Sequence, residues 1–233
     1  MKIEGSVALV TGANRGIGLA FSRALLARGA SKVYAGVRRP EDLTEPGLEP
    51  LRLDVTDDDQ VEAAARTASD ATIVINNAGI QGGPPLLAGG SLDGARRELE
   101  VNYLGTWAVS RAFAPVLAAN GGGALVNMLS VASWRANSRF PSYAASKSAQ
   151  WSLTNALRLA LRDQGTLVVG VHVGYVETDA TTEIEGPKID PAEVASQTMD
   201  AIARDEPEVL VDETTRKVRA ALSGPLDLLY GTV

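Results

Sequence analysis

The sequence predicts an α/β fold: a single doubly wound domain over residues 1–233, built on a parallel sheet of about seven strands with helices on both faces. Three observations predict it. Short apolar runs rich in β-branched residues recur along the chain, and their hydrophobicity is continuous rather than alternating, as in strands covered on both sides. Longer segments at helical spacing lie between them, and strand-helix alternation builds parallel strands through right-handed crossovers. The 233 residues are 45% hydrophobic and 21% charged, ordinary for a globular chain and too apolar for a disordered one. At this length folding buries about 70–75% of the unfolded surface, so a core needs neither metal nor disulfide.

Taken in order, Ser6–Val10 is the first strand, and Thr11–Gly18 turns it into a helix over Gly18–Arg28. Lys32–Val37 is the second strand and Leu48–Asp54 the third. A helix over Asp57–Ala68 follows, where Thr56 with Asp59 three residues on is read as an acidic form of the capping box. The Asp57-Asp58-Asp59 run suits a helix start, where the dipole favours negative charge. Thr72–Asn76 is the fourth strand; Pro84-Pro85 and Gly89-Gly90 then bound a loop, and one long helix is expected over Leu92–Leu117. Gly121-Gly122-Gly123 separates it from the strand Ala124–Leu129. A helix over Ser142–Arg162 leads to the strand Thr166–Val173, and Asp190-Pro191 places a cap ahead of proline at the start of Pro191–Arg204. Glu208–Val211 is the last strand, before a helix over Thr214–Leu222. No stretch reads as an interdomain linker, a repeat or a low-complexity tract.

Twenty-two basic against twenty-eight acidic residues leave a formal net charge of −6. That field repels a phosphate backbone, so no nucleic-acid partner is expected. The lack of cysteine excludes a disulfide framework, a thiolate metal site and a cysteine nucleophile together, and it suits a reducing cytoplasm. Met1-Lys2-Ile3-Glu4-Gly5 lacks the apolar stretch and cleavage site of a signal peptide, and no apolar run reaches the roughly 18 residues of a membrane helix. A soluble cytoplasmic protein without a membrane partner is the expectation. The one histidine, His172, lies inside Val168–Val173 and reads as a packed strand residue without metal partners. No metal site is expected, and no Ser-His-Asp arrangement is present.

The first strand runs into Thr11-Gly12-Ala13-Asn14-Arg15-Gly16-Ile17-Gly18. Glycines there permit a tight turn and let a phosphate approach a helix N-terminus, where free N–H groups and the dipole favour an anion. A plain βα turn would use the same residues, but the position between first strand and first helix is that of a dinucleotide-binding Rossmann fold. About twenty residues past the last glycine such folds carry an acid if the cofactor is NAD. This chain has Val37-Arg38-Arg39 instead. Guanidinium groups bind a 2′-phosphate through charge-assisted hydrogen bonds, so Arg38 and Arg39, with Arg15 pointing at the same phosphate, indicate NADP(H).

Tyr143 and Lys147 lie four residues apart near the start of a helix and so share one face. A phenol titrates near pH 10, and an ammonium one turn away is expected to lower that value. Ser130 ends the fifth strand thirteen residues before Tyr143, at the sheet edge where parallel α/β folds place ligands. With Thr11-Gly12-x-x-x-Gly16-x-Gly18, Asn76-Asn77-Ala78-Gly79, Asn102, Ser130 and Tyr143-x-x-x-Lys147 in order, the sequence from Ser6 to about Thr178 resembles the classical short-chain dehydrogenase/reductase family. The resemblance implies that Tyr143 is the general acid/base, Lys147 its activator and the holder of the nicotinamide ribose, and Ser130 the group that positions the substrate carbonyl. It further implies that Asn102 holds a water linking Lys147 to solvent, that Asp54 and Val55 flank adenine, and that Asn77-Ala78-Gly79 lies under the cofactor.

Two departures from the family pattern stand out. After the sixth strand the usual Pro-Gly is replaced by Val173-Gly174, although Gly174, Val176 and Thr178 keep the positions of cofactor contacts. The stretch Glu208–Val233 lacks the Thr-Gly and Asp-Gly-Gly pattern that commonly closes the fold, which puts assembly through that edge in doubt; a homo-oligomer, dimer or tetramer, remains the expectation. Candidate pocket walls are Gln81, Trp134, Phe140 and Tyr175. The segment Asp179–Lys188 has no arginine and one lysine, which favours an apolar or aromatic carbonyl compound over a strongly anionic one. The expected function is therefore NADPH-dependent reduction of a ketone or aldehyde, or the reverse oxidation of an alcohol. The alternative is a catalytically silent NADP-binding sensor or scaffold.

Overall fold

Strands that are apolar on both faces must be covered on both faces, and the chain achieves this by winding helices over the two sides of one parallel sheet. The computed structural model describes residues 1–87 and 89–231. Its first half runs β1 (Val7–Thr11), α1 (Gly16–Ala27), β2 (Lys32–Val37), β3 (Glu49–Arg52), α2 (Asp58–Thr67) and β4 (Ile73–Asn76). The second half runs α3 (Asp93–Leu99), α4 (Thr106–Ala119), β5 (Ala124–Met128), α5 (Pro141–Ala160), β6 (Leu167–His172), α6 (Pro191–Ala203), β7 (Glu208–Leu210), α7 (Glu213–Ala221) and α8 (Asp227–Tyr230). The strands pair in parallel in the order β3-β2-β1-β4-β5-β6-β7.

β1 lies inside the sheet, its Val10 level with Ala35 of β2 and with Ile75 of β4. Strand order reverses between β1 and β4, and the crevice outside their C-terminal ends is where open α/β sheets hold ligands. Successive side chains of β1 enter opposite cores. Ala8 and Val10 pack with Phe21 and Leu25 of α1 and Met199 of α6, whereas Leu9 packs with Phe113 and Leu117 of α4. That double burial explains why the strands read as continuous apolar runs, and each fully buried Phe or Leu stabilises the fold by roughly 1.5–3 kcal/mol.

Two local expectations are corrected. The cap of α2 is Asp57, whose side chain accepts from Gln60 N at 3.1 Å. Thr56 is not available for that role, because its hydroxyl and its N–H both donate to Asp54 Oδ1, at 2.8 and 3.0 Å. The long helix over Leu92–Leu117 is interrupted by a π-helical stretch, Glu100–Gly105, between α3 and α4. A tight approach limits the backbone there, since a Cβ on Gly105 would come within 2.6 Å of Val55 Cγ2. π-Helical insertions of this kind recur at functional sites, and this one carries Asn102.

Candidate active site

The ends of β1 and β4 are tied together by Thr11 and Asn77. Thr11 Oγ1 accepts from the N–H groups of Asn77 and Ala78, both at 3.0 Å, and Asn77 Nδ2 donates to Thr11 O at 2.9 Å. Beside this knot the chain turns through Gly12 (φ +68°) and Gly16 (φ +54°), a region that penalises any Cβ. A Cβ on Gly18 would overlap the Gly12 carbonyl, so α1 begins hard against the turn. Arg15 is its N-cap without a side-chain capping bond, and its first turn holds no acid. The positive end of α1 is thus uncompensated, as an anion-binding helix start requires. Asn14 is exposed in the turn and Ile17 half-buried.

Two of the three arginines that the sequence grouped are held by carboxylates. Arg38 is exposed at the end of β2 and has no ion pair or hydrogen bond among the described residues. Arg39 pairs with Asp42 at 2.9 Å, and Arg15 pairs with Asp179 at 3.0 Å, across to the segment after β6. Both pairs are solvent-exposed, and such pairs hold by only about 0–1 kcal/mol. Asp54 closes the turn to Thr56 and Val55 is buried beneath it in sequence at 8% exposure. Gly174 N donates to Asp212, the cap of α7, at 2.6 Å. Val176 is buried and bridged to Ile189, while Thr178 lies against Gly16, where a Cβ would meet its Cγ2 at 3.3 Å.

The reacting groups meet at the ends of β5 and the start of α5. Ser130 is buried, its Oγ accepting from Ala132 N at 3.1 Å. Tyr143 is half-buried as a residue, but burial of its hydroxyl end pushes the phenol up to about 12; a hydrogen bond with Ser130 opposes that rise and the charge of Glu98 adds to it. The sequence led us to expect a lowered value from Lys147. In the protein alone burial of the phenol outweighs any such effect, and Lys147 is itself buried and pulled down to about 7 by desolvation. Its Nζ is 5.8 Å from the Tyr143 ring centroid and donates to Met128 O and Gln150 Oε1, each at 2.8 Å.

Asn102 is fully buried and staples the loop after β4: Oδ1 accepts from Ile80 N at 2.8 Å, and Nδ2 donates to Ile80 O and Ser146 Oγ at 2.9 Å. A chain of hydrogen bonds also joins it to Lys147. Gln150 Nε2 donates to Thr106 Oγ1, and Thr106 Oγ1 to the Asn102 carbonyl, both at 2.8 Å. Neither Gln150 nor Thr106 was singled out from the sequence, although a polar residue three places after Lys147 shares its helix face. Glu98 was missed as well; its position four residues before Asn102 was the available signal.

The pocket candidates separate. Gln81 is half-buried and Tyr175 is 42% exposed. Phe140, half-buried, precedes α5 with the Arg139 guanidinium 5.2 Å from its ring centroid. Trp134 is a correction. It stacks on His172 at 3.6 Å between centroids, meets Trp151 edge-on at 6.2 Å and lies under Arg219, so its ring is taken up in anchoring the loop after β5. His172 is fully buried, held down to about 3 mainly by desolvation, with Nδ1 3.3 Å from Ser130 O. Among the described residues no group of three or more His, Asp or Glu is placed to hold a metal.

This geometry has counterparts among known proteins. A model of the short chain dehydrogenase family matches residues 6–188. The chain belongs to the short chain dehydrogenase family. As a member it is an oxidoreductase that works with a nicotinamide cofactor. The 1-deoxy-11-beta-hydroxypentalenate dehydrogenase of Streptomyces exfoliatus is 35% identical over 203 residues, covering 81% of this chain and 74% of that protein. A short chain dehydrogenase from Burkholderia cenocepacia J2315, solved in complex with NADP, superposes with a TM-score of 0.94 at 38% identity, over 99% of this chain and 98% of that one. A short chain dehydrogenase/reductase from Burkholderia phymatum, solved with NAD, shares the fold at a TM-score of 0.82 and 24% identity, over 95% of each chain. No helix among the described residues is long and apolar enough to cross a membrane.

Proposed function

We propose that the chain is an NADPH-dependent carbonyl reductase, acting as one catalytic domain on a ketone or aldehyde, with alcohol oxidation as the reverse reaction. The observation that carries this reading is the convergence of Ser130 at the end of β5 with Lys147 and Tyr143 on α5, where burial favours the protonated phenol. A phenol in that state is an acid waiting for a base, and the oxygen of a carbonyl becomes one as its carbon is reduced.

The residues present fit a dinucleotide. Gly12, Gly16 and Gly18 leave room that a Cβ would fill, the start of α1 is uncapped, and Arg38 is unpaired among the described residues. These groups, with Asn14, Arg15, Ile17, Arg39, Asp54, Val55, Asn77, Ala78, Gly79, Gly174, Val176 and Thr178, would hold NADP(H). The cofactor supplies the hydride. Ser130 would hydrogen-bond the carbonyl oxygen and orient it, and Tyr143 would deliver the proton. Lys147 would hold the ribose and, through Gln150 and Thr106, keep its link to the Asn102 carbonyl. Gln81, Phe140 and Tyr175 would bound an apolar or aromatic substrate, since the segment after β6 offers little positive charge.

Exposed Leu99, Leu104 and Trp107 on the α3–α4 helix support assembly into a dimer or tetramer, which light scattering will test; the cysteine-free composition supports a cytoplasmic site of action. The deciding experiment is NADPH and NADH consumption over a panel of aliphatic, aromatic and anionic carbonyl compounds. Turnover with NADPH on apolar carbonyls is expected. No turnover on any compound, with NADPH still bound, would favour the sensor or scaffold instead.

A further inference from the structure

Asp212 caps α7 and makes a second bond that a cap does not need. Its Oδ1 accepts from Thr215 N at 2.8 Å, which closes the first turn of the helix. Its Oδ2 reaches 38 positions back along the chain and accepts from Gly174 N at 2.6 Å. Serine or asparagine would cap α7 as well as aspartate does. Holding two N–H groups that arrive from different elements takes two acceptor oxygens on one arm, which a carboxylate offers, and the bond to Gly174 is charge-assisted. The fit is close, for a Cβ on Gly174 would lie 3.3 Å from Oδ2.

Gly174 opens a short segment that crosses the ligand-bearing edge of the sheet. Its far end, Thr178, lies against Gly16, and the next residue, Asp179, pairs with Arg15 at the start of α1. β4 and β5 separate β1 from β6, so the ends of β6 and β1 stand three strand spacings apart, about 14 Å, and four steps of extended chain cover about 13 Å. The segment therefore passes outside the C-terminal ends of β5 and β4, carrying Tyr175, Val176 and Thr178. Its middle is held by Ile189, whose N–H donates to Tyr175 O at 2.8 Å and whose carbonyl accepts from Glu177 N at 2.9 Å. Its far end has a methyl contact and an exposed ion pair, which salt screens. The peptide that enters it is fixed from both sides: the Val173 carbonyl accepts from Val131 N at 2.9 Å, and the Gly174 N–H donates to Asp212. Two bonds on one peptide fix its plane, whereas one leaves it free to rock.

We propose that Asp212 is a positioning residue for the nicotinamide end of the cofactor: by fixing the Gly174 peptide it sets where Val176 and Thr178 meet the nicotinamide and where Tyr175 bounds the substrate. The inference rests on the carbonyl-reductase reading. Hydride passes from the nicotinamide to the carbonyl carbon only over a short, aligned distance, so a rocking Gly174 peptide costs nicotinamide contacts and rate together. The adenine and 2′-phosphate end is outside its reach, because Arg38 ends β2, on the far side of β1 from β6.

The test is equilibrium binding of NADPH and of adenosine 2′,5′-bisphosphate, which lacks the nicotinamide, to the wild type and Asp212→Ser, together with kcat on one accepted carbonyl. Serine keeps the cap on Thr215, and its hydroxyl, one bond shorter, does not reach Gly174. NADPH affinity should fall by about tenfold, the worth of roughly one hydrogen bond, and kcat by roughly ten- to a hundred-fold. Affinity for the bisphosphate should stay at its wild-type value. Unchanged NADPH affinity overturns the proposal, and so does an equal weakening of both ligands, which would make Asp212 a structural cap. Should Asp212→Ser fail to fold, Asp212→Asn takes its place: its amide oxygen keeps the cap and its NH2 group meets the Gly174 N–H donor to donor, so the same split is expected and the same results overturn the proposal. A wild type that binds neither ligand, or reduces no carbonyl, defeats the underlying reading. A wild type that binds both and reduces carbonyls, with no split in the variant, defeats this inference alone.

Discussion

Arg38→Ala is the cleanest perturbation of cofactor choice, because the guanidinium it removes supports nothing else. The side chain is exposed and makes no ion pair among the described residues, so its loss should leave the fold intact. The neighbouring Val37 is different: it is 4% exposed and packed in the core, and an acid placed there would be buried. A 2′-phosphate carries roughly −1.5 to −2 charge if it behaves like other phosphomonoesters. Losing hydrogen bonds to a charged group costs about 1.5–3 kcal/mol, or roughly ten- to a hundred-fold in affinity. Arg15 and Arg39 must first leave Asp179 and Asp42, at about 0–1 kcal/mol each for exposed pairs, so alanine at either should have a smaller effect. The assay is a fluorescence titration of NADPH and NADH at fixed ionic strength, with kcat/KM for both cofactors on one accepted carbonyl. NADPH should weaken within the stated range while NADH stays within about twofold. A wild type that prefers NADH, or an Arg38→Ala protein whose NADPH affinity is unchanged, would refute the placement of the phosphate.

Tyr143→Phe keeps the ring and removes the transferable proton, so kcat should fall by about 10²–10⁴ with NADPH affinity and circular dichroism unchanged; a loss of only a few-fold would remove Tyr143 from the proton-transfer role. Asn102→Ala leaves Ile80 N–H and C=O without their side-chain partner, and at about 1–3 kcal/mol per orphan the variant should lose roughly 2–6 kcal/mol in urea denaturation. A wild-type midpoint would show that water replaces the staple. His172 titrates near 3 in the fold and about 6.5 unfolded, so below pH 6.5 the unfolded chain binds a proton that the native one refuses. Stability present above that value is lost as pH falls, by about 2 kcal/mol at pH 5. His172→Phe, which can keep the stack on Trp134, should flatten the difference in stability between pH 8 and pH 5 by that amount, and an equal difference in both proteins would be the contrary result.

Much of this molecule was legible in the sequence because the relevant signals are local. A strand buried on both faces is apolar along most of its length, so Val33 to Val37 and Ile73 to Ile75 announce themselves as members of a covered parallel sheet. Gly12 and Gly16 occupy a region of backbone space that other residues avoid, which marks the turn before α1. Tyr143 and Lys147 share a helix face by spacing alone. What the tertiary structure decided were quantities that depend on residues far apart in the chain. Arg15 pairs with Asp179, a carboxylate 164 positions away. Trp134 anchors a loop because His172 lies beneath it. The Tyr143 phenol is raised where a neighbouring lysine predicted a lowered value, because burial acts on both groups and penalises whichever form is charged. Spacing determines which side chains can share a face, but desolvation and pairing are set by everything packed around that face, and only the folded chain specifies it.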